Sequence, residues 1–297
     1  MNNNKHTILI TGAGGQLGLA FRDLADRFPQ FIFIFASKGE LQITDYTTVT
    51  NYFDLYNINT CINCAAYTAV DKAEKEKEKA FAVNANAVGN LAMICKRHKV
   101  QLIHFSTDYV FDGKADHPYR ETDETDPVNT YGASKLKGEE LAIQFNPSTI
   151  IIRSSWVYSE FGNNFVKTML RLLIEKESIH VVNDQRGCPT YAADLAKAVM
   201  KIVESVPETN YSSPALFNYC NSGNTTWYDF ALAIKEITGS KCIINPILTA
   251  DYSTPARRPH YSILDTSKIR ENFQLNIPDW QQSLHHCIDH LLKNKLK

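Results

Sequence analysis

Charge of one sign is missing from this chain of 297 residues: Lys+Arg number 31 and Asp+Glu 32, a formal net charge of -1. That balance offers no global field for gathering nucleic acid or an anionic membrane, so neither is expected as a partner, and any anionic ligand must be held locally. Long apolar runs are missing too. Those present are strand-sized, and Met1 to His6 is Asn-rich with no apolar core of signal-peptide length, which predicts a cytoplasmic protein without a membrane span. The seven cysteines (61, 64, 95, 188, 220, 242 and 287) are odd in number and scattered, unlike the dense even framework of a small secreted domain, and read as reduced thiols. Neither a Gly/Ser linker nor an internal repeat divides the chain. With 44% hydrophobic residues it can bury a sizeable core, as one large domain or two closely packed ones.

Hydrophobic patterning predicts strict alternation through the first half. Thr7 to Thr11 is a strand, followed by glycines and a helical pattern from Leu17 to Phe28; a second strand covers Phe31 to Phe35. A helix starting near Thr44-Asp45 precedes the strand Thr60 to Cys64, and a helical stretch Ala69 to Arg97 precedes the strand Gln101 to Phe105. A helix Thr130 to Gln144 then leads to the strand Thr149 to Arg153. Such order favours a parallel sheet with helices on both faces and ligands at the carboxyl ends of the strands. Beyond it the pattern loosens. A helix Asn164 to Glu175, a strand Ile179 to Val182, a helix Ala192 to Val206 and a C-terminal helix from about Pro278 are separated by irregular stretches, including a Pro-rich region around Pro246, Pro255 and Pro259.

The first strand runs into Thr11-Gly12-Ala13-Gly14-Gly15-Gln16-Leu17-Gly18, where Gly12, Gly15 and Gly18 have the G-x-x-G-x-x-G spacing. A glycine trio alone is weak. Between a first strand and a first helix it has a mechanism, because bare backbone lets a pyrophosphate approach the amides of a helix N-terminus. The cofactor side of the prediction therefore includes Gly12, Gly15, Gln16, Leu17 and Gly18. No acid stands in Phe35-Ala36-Ser37-Lys38 at the end of the second strand to bind a ribose 2′-hydroxyl, and Ser37 and Lys38 suit a 2′-phosphate, favouring NADPH with NADH also usable.

Tyr131 and Lys135 stand at i and i+4, so on a helix both project from one face, where the ammonium is expected to favour the phenolate. Isolated Tyr-x-x-x-Lys pairs are common on helix surfaces. Here the pair follows a strand ending in Ser106-Thr107-Asp108, which places hydroxyls where active-site groups belong.

This order and spacing resemble the extended short-chain dehydrogenase/reductase family. Ser106-Thr107-Asp108-Tyr109-Val110-Phe111-Asp112-Gly113, Tyr131-Gly132-x-x-Lys135, Ser155-Trp156-Val157-Tyr158, Gly162-Asn163-Asn164-Phe165, Asn183 to Thr190 and Thr254-Pro255-Ala256-Arg257-Arg258-Pro259 look like its dTDP-4-dehydrorhamnose reductase branch, across nearly the whole chain. The resemblance implies an α/β Rossmann-type doubly wound parallel sheet with a smaller C-terminal substrate-binding lobe. Residues 1–154, with a contribution from about 188–220, would bind NAD(P), and residues 155–187 and 221–297 would form the lobe. It implies reduction of a 4-keto nucleotide sugar, with Thr107, Tyr131 and Lys135 catalytic. Ala66, Tyr67 and Thr68 would line the cofactor, and Thr107, Asp108, Trp156, Asn164 and Arg257 would bind the sugar nucleotide. A monomer or homodimer is expected. Some members bridge dimers with Mg2+ through a glutamate after the glycine turn; Leu19-Ala20 stands there, so no metal ligand is assigned, and Gln42 replaces a frequent acid on the adenine side. A non-catalytic regulatory subunit and a nucleotide-sugar epimerase on the same fold remain alternatives.

Other signals have plainer readings. Cys61 and Cys64 have metal-like spacing but would face opposite sides of a strand. His286 and His290 at i, i+4 lack a third ligand. The run Asp71 to Lys79 mixes signs and reads as a solvated helix face, and Arg257-Arg258 could clamp a diphosphate.

Overall fold

The computed structural model describes residues 5–205 and 215–295; the predicted helix end at Val206, residues 206–214 of the predicted dinucleotide-binding contribution, and Met1 to Asn4 lie outside the described residues. At its centre is a six-stranded sheet built from β1 (His6–Thr11), β2 (Phe31–Ala36), β3 (Thr60–Asn63), β4 (Gln101–Thr107), β5 (Ile150–Ser154) and β6 (Ala215–Tyr219). All pairings are parallel, in the spatial order β6-β5-β4-β3-β1-β2. Alternate side chains leave each strand on opposite faces, so both faces need cover. On one face Ile8, Ile10, Ile62, Ile103, Ile150 and Ile152 pack under α1 (Gln16–Leu24) and the helix Ala192–Ser205. On the other, Leu9, Cys61, Leu102 and Ile151 pack under Tyr46–Leu55 and Ala87–Arg97.

From β1 the chain moves to one side for β2 and returns on the other for β3. A crevice therefore opens at the carboxyl ends of β1 and β3, the switch point where ligands bind in such sheets. The helix that follows β4 in the site, α2 (Thr130–Phe145), is capped by Asn129, whose Oδ1 accepts from Gly132 N at 2.8 Å.

A second core gathers Val166, Met169, Phe230, Ile234, Trp280 and Leu284 from Phe165–Glu175, Trp227–Thr238 and Trp280–Lys295, with Tyr158 from the short strand Val157–Tyr158. Its strand Ser178–Val182, expected at Ile179 to Val182, pairs in parallel with Ile243–Ile247, a strand that falls in the Pro-rich stretch read as irregular from sequence. β6 and the helix Trp227–Thr238 were likewise missed. The helix Ser267–Phe273 belongs in sequence to the expected lobe, yet Ile269 and Phe273 pack into the core under the main sheet.

Candidate active site

The glycines of the first turn do different jobs. Gly12 has φ +62°, and a Cβ there would lie 2.6 Å from Ala65 N, so Gly12 lets the loops after β1 and β3 touch. A Cβ on Gly18 would meet Ala13 Cα and Gly12 O at 2.6 Å, which makes it a packing glycine of α1. Gly14 has open space and Gly15 a single neighbour at 3.3 Å. Gly15 is also the N-cap of α1, and no side chain caps that end, so first-turn amides face the crevice mouth. The Gln16 side chain points elsewhere: its Oε1 accepts from Ser159 Oγ (3.1 Å) and Asn164 Nδ2 (2.8 Å), tying the turn to the second lobe.

At the end of β2 the structure adds two groups. The Glu40 carboxylate folds back to accept from Ser37 N at 2.8 Å, which holds its pKa low, so an acid does stand near this strand end. The Arg22 guanidinium lies 4.4 Å from the Phe35 ring centroid, and Lys38 is exposed beside them. Ala66 and Thr68 are exposed on the loop after β3. Tyr67 is held there by Asn84, which accepts from Tyr67 N (2.8 Å) and donates to Tyr67 O (2.9 Å).

Thr107, Asp108, Tyr131 and Lys135 converge at the end of β4. Thr107 Oγ1 accepts from Tyr109 N (3.2 Å) and donates to Asp108 Oδ1 (3.0 Å). Burial pushes the Tyr131 pKa up to about 12, opposed by Thr107 and reinforced by Asp108. The lysine at i+4 was expected to favour the phenolate; burial instead favours the phenol. Lys135 donates to Phe105 O at 2.5 Å, and burial brings its pKa down to about 8 despite the Glu139 carboxylate. Asp108 is raised to about 7, also by burial, with hydrogen bonds from Ser262 and Thr107 opposing. At neutral pH, therefore, Tyr131 keeps its proton and Asp108 is near its midpoint.

The supports were largely invisible in sequence. Glu74 accepts from Thr130 N (2.8 Å) and Thr130 Oγ1 (2.9 Å) at the start of α2, and Asp71 pairs with Arg258 at 2.9 Å. Two acids of the run read as a solvated face thus anchor α2 and the Pro-rich loop; pairs such as Glu76–Lys79 fit that reading. The predicted continuous helix is broken at residues 74–76, between Val70–Ala73 and Lys77–Phe81, and again by a π-turn, Ala82–Asn86, that carries Asn84 and leads into Ala87–Arg97. The Asn84 amide also donates to Ser134 Oγ (3.0 Å), while a Cβ on Gly138 would sit 2.0 Å from Asn84 O, so α2 packs against this turn through a glycine.

In the second lobe, Trp156 holds φ +46° and stacks on Trp227 with centroids 3.5 Å apart. Asn164 commits its amide internally, donating to Gln16 Oε1, Ser159 O and Phe161 O and capping Phe165–Glu175 through Lys167 N. Arg257 is exposed, with its carbonyl accepting from Asn129 Nδ2 at 2.8 Å. Gly187 faces the indole: an added Cβ would lie 2.5 Å from Trp156 Cε2. Gly187→Ala is therefore expected to unstack Trp156 from Trp227. The change should appear in tryptophan fluorescence and as a raised KM for substrate with a smaller effect on kcat.

The remaining signals resolve structurally. Cys61 is wholly buried, and His290 pairs with Glu160 at 3.3 Å rather than with His286. Among the described residues no group of three or more His, Cys, Asp or Glu could hold a metal ion, and no helix is long and apolar enough to cross a membrane.

A phenol and an amine on one helix, facing strand-end hydroxyls beside a dinucleotide-type crevice, define the short-chain dehydrogenase/reductase class. Within it, residues 6–293 match the model of the RmlD substrate binding domain family, and the chain belongs to that family. It is 41% identical over 283 residues to a dTDP-4-dehydrorhamnose reductase of Aggregatibacter actinomycetemcomitans, covering 93% of this chain and 96% of the relative. A crystal structure of the Bacillus anthracis dTDP-4-dehydrorhamnose reductase in complex with NADP superposes with a TM-score of 0.91 at 36% identity, covering 96% of this chain and 99% of that one. The Clostridium acetobutylicum enzyme of the same name gives 0.90 at 37% identity, with coverage of 96% and 99%.

Proposed function

We propose that this chain reduces the C4 keto group of dTDP-4-dehydro-β-L-rhamnose to dTDP-L-rhamnose, the final step in making that activated sugar, with NADPH preferred and NADH accepted. The observation that carries this reading is the convergence of Thr107, Tyr131 and Lys135 at the end of β4, beside the crevice. The crevice fits a dinucleotide: a Cβ is excluded at Gly12 and Gly18, space is open at Gly14, and the N-terminus of α1 lacks a side-chain cap. Arg22, Ser37 and Lys38 favour a 2′-phosphate, since the Glu40 carboxylate already accepts from the Ser37 amide.

When bound, the reduced nicotinamide supplies hydride to C4. Tyr131 then gives its phenolic proton to the C4 oxygen as negative charge develops there, and Thr107 orients that oxygen. The raised Tyr131 pKa keeps the acid protonated across the neutral range. Lys135 holds the cofactor's ribose and supports Tyr131. Asp108 and Trp156 contact the sugar nucleotide and Arg257 its diphosphate, while Asn164 acts by locking Gln16 and the first turn of Phe165–Glu175 in place. Residues 1–154 and 188–220 form the dinucleotide-binding part, and 155–187 and 221–297 the substrate lobe, with the helix Ser267–Phe273 reaching back under the sheet.

The test is oxidation of NADPH, followed by absorbance, in the presence of dTDP-4-dehydrorhamnose generated in situ, with NADH in parallel. Substrate-dependent oxidation, faster with NADPH, is expected. A competent substrate that elicits no oxidation with either cofactor would remove the reading.

A further inference from the structure

A wholly buried polar chain runs from the glycine turn to the catalytic helix. Thr11 Oγ1 donates to Asn63 Oδ1 at 2.6 Å, Asn63 Nδ2 meets His104 Nδ1 at 3.1 Å, and His104 Nε2 lies 3.5 Å from Lys135 Nζ. Relative exposures are 0% for Thr11, 1% for Asn63, 0% for His104 and 3% for Lys135. Nothing in the proposed reaction uses Asn63 or His104.

The direction of each bond follows from the donors. Ala65 N is an obligate donor, and it points at Asn63 Oδ1 from 3.3 Å, so the carbonyl oxygen of that amide faces Ala65 and Thr11 and its NH2 faces the histidine. His104 Nδ1 must then accept. Its ring is neutral, because burial and the nearby lysine press its pKa well below the usual value, so the single ring proton sits on Nε2. That N–H is aimed at Lys135, whose ammonium has only donors. The pair is matched when Lys135 is the neutral amine, whose lone pair can accept, and mismatched when it is the ammonium.

We propose that Asn63 and His104 are positioning residues that set the pH at which Lys135 gives up its proton, by presenting the lysine with an N–H donor instead of an acceptor. The proposal rests on the reductase reading for its kinetic consequence, not for its geometry. Other groups around Lys135 differ in kind. Its own helix supplies Tyr131 and Glu139, the latter bound to Arg153 of β5, and Asp108 lies beyond Thr107. The end of β3 carries Cys64, whose thiol burial keeps protonated. The π-turn offers the uncharged Asn84. Phe105 O is the acceptor for one lysine hydrogen, and the histidine opposes a second.

Two measurements test this. Long-range proton–nitrogen correlation spectra of the wild-type protein, with the ring assigned by its loss in His104→Gln, should show Nε2 protonated and Nδ1 bare. A ring protonated on Nδ1, or on both nitrogens, would overturn the proposal whatever the enzyme's activity. The second is the pH profile of kcat. His104→Gln can offer a carbonyl to Lys135, and Asn63→Asp would draw the ring proton to Nδ1 and free Nε2 to accept. Both are expected to move the alkaline limb upward by about one pH unit, a tenfold change in proton affinity. A merely structural role would lower stability or kcat and leave that limb in place, and an unmoved limb in a folded variant overturns the idea. If the variants do not fold, the ring is assigned instead through its bonds to the His104 backbone resonances, and the wild-type spectrum still decides. Wild-type turnover separately reports on the reductase reading.

Discussion

Tyr131→Phe is expected to lower kcat by about 10²–10⁴-fold, the usual contribution of a positioned general acid. In the proposed reaction the phenol is the proton donor at the end of β4, and phenylalanine preserves the ring that meets Tyr109 edge-on at 5.9 Å while removing only the hydroxyl. Affinity for NADPH, read from quenching of protein fluorescence, should change little, and the thermal midpoint should stay close to wild type. Turnover within a few-fold of wild type would mean that another group delivers the proton. Asp108, near its midpoint at neutral pH and hydrogen-bonded to Thr107, would be the first to examine.

The second large effect is on stability. Arg153 and Glu139 form a bidentate pair, Nε to Oε1 at 3.0 Å and Nη2 to Oε2 at 2.7 Å, with side chains only 4% and 3% exposed and the guanidinium 5.0 Å from the Phe111 ring centroid. Glu139→Leu leaves that guanidinium buried without its partner, which costs about 3–5 kcal/mol and should lower Tm by roughly 5–15 °C in a thermal melt. Adding Arg153→Met to it should recover most of the loss, because two apolar side chains of similar volume need no ion to be desolvated. A single variant as stable as wild type would show that the pair contributes nothing net. The pair also holds α2 to β5 one helical turn beyond Lys135, so the single variant should lose activity with its stability.

What the sequence reveals follows from range. The strand–glycine–helix opening, the helix starts near Asp45 and at Thr130 and the i, i+4 pair on α2 are local signals, and each is found where the pattern puts it. Thr107 was legible because it ends a buried strand. The supports were not. Asp71 and Glu74 sit in a run of alternating charge whose local pattern is that of a solvated face, and only the tertiary contacts to Arg258 and Thr130 give them work. Asn84 is one of three asparagines, with Asn86 and Asn90, in a helical pattern, and neither its inward amide nor the π-turn has a periodic signature. His104 alternates with apolar neighbours on a buried strand and reads as a core position. The upward shift of Tyr131 could not be read from spacing, because burial, a property of the whole fold, decides its sign. Beyond Trp156 the strands are short and their partners distant in sequence: Ile179 to Val182 was legible as a strand, but its partner Ile243–Ile247, more than sixty residues on and interrupted by Pro246, was left by pattern alone as a loop.

The most direct test of the central claim is the fate of deuterium carried at the transferable position of NADPH during turnover with dTDP-4-dehydrorhamnose. The account predicts dTDP-rhamnose bearing deuterium at C4, in amounts matching the NADPH oxidised. Sugar altered without label and without net cofactor oxidation, or recovered unchanged, would contradict it.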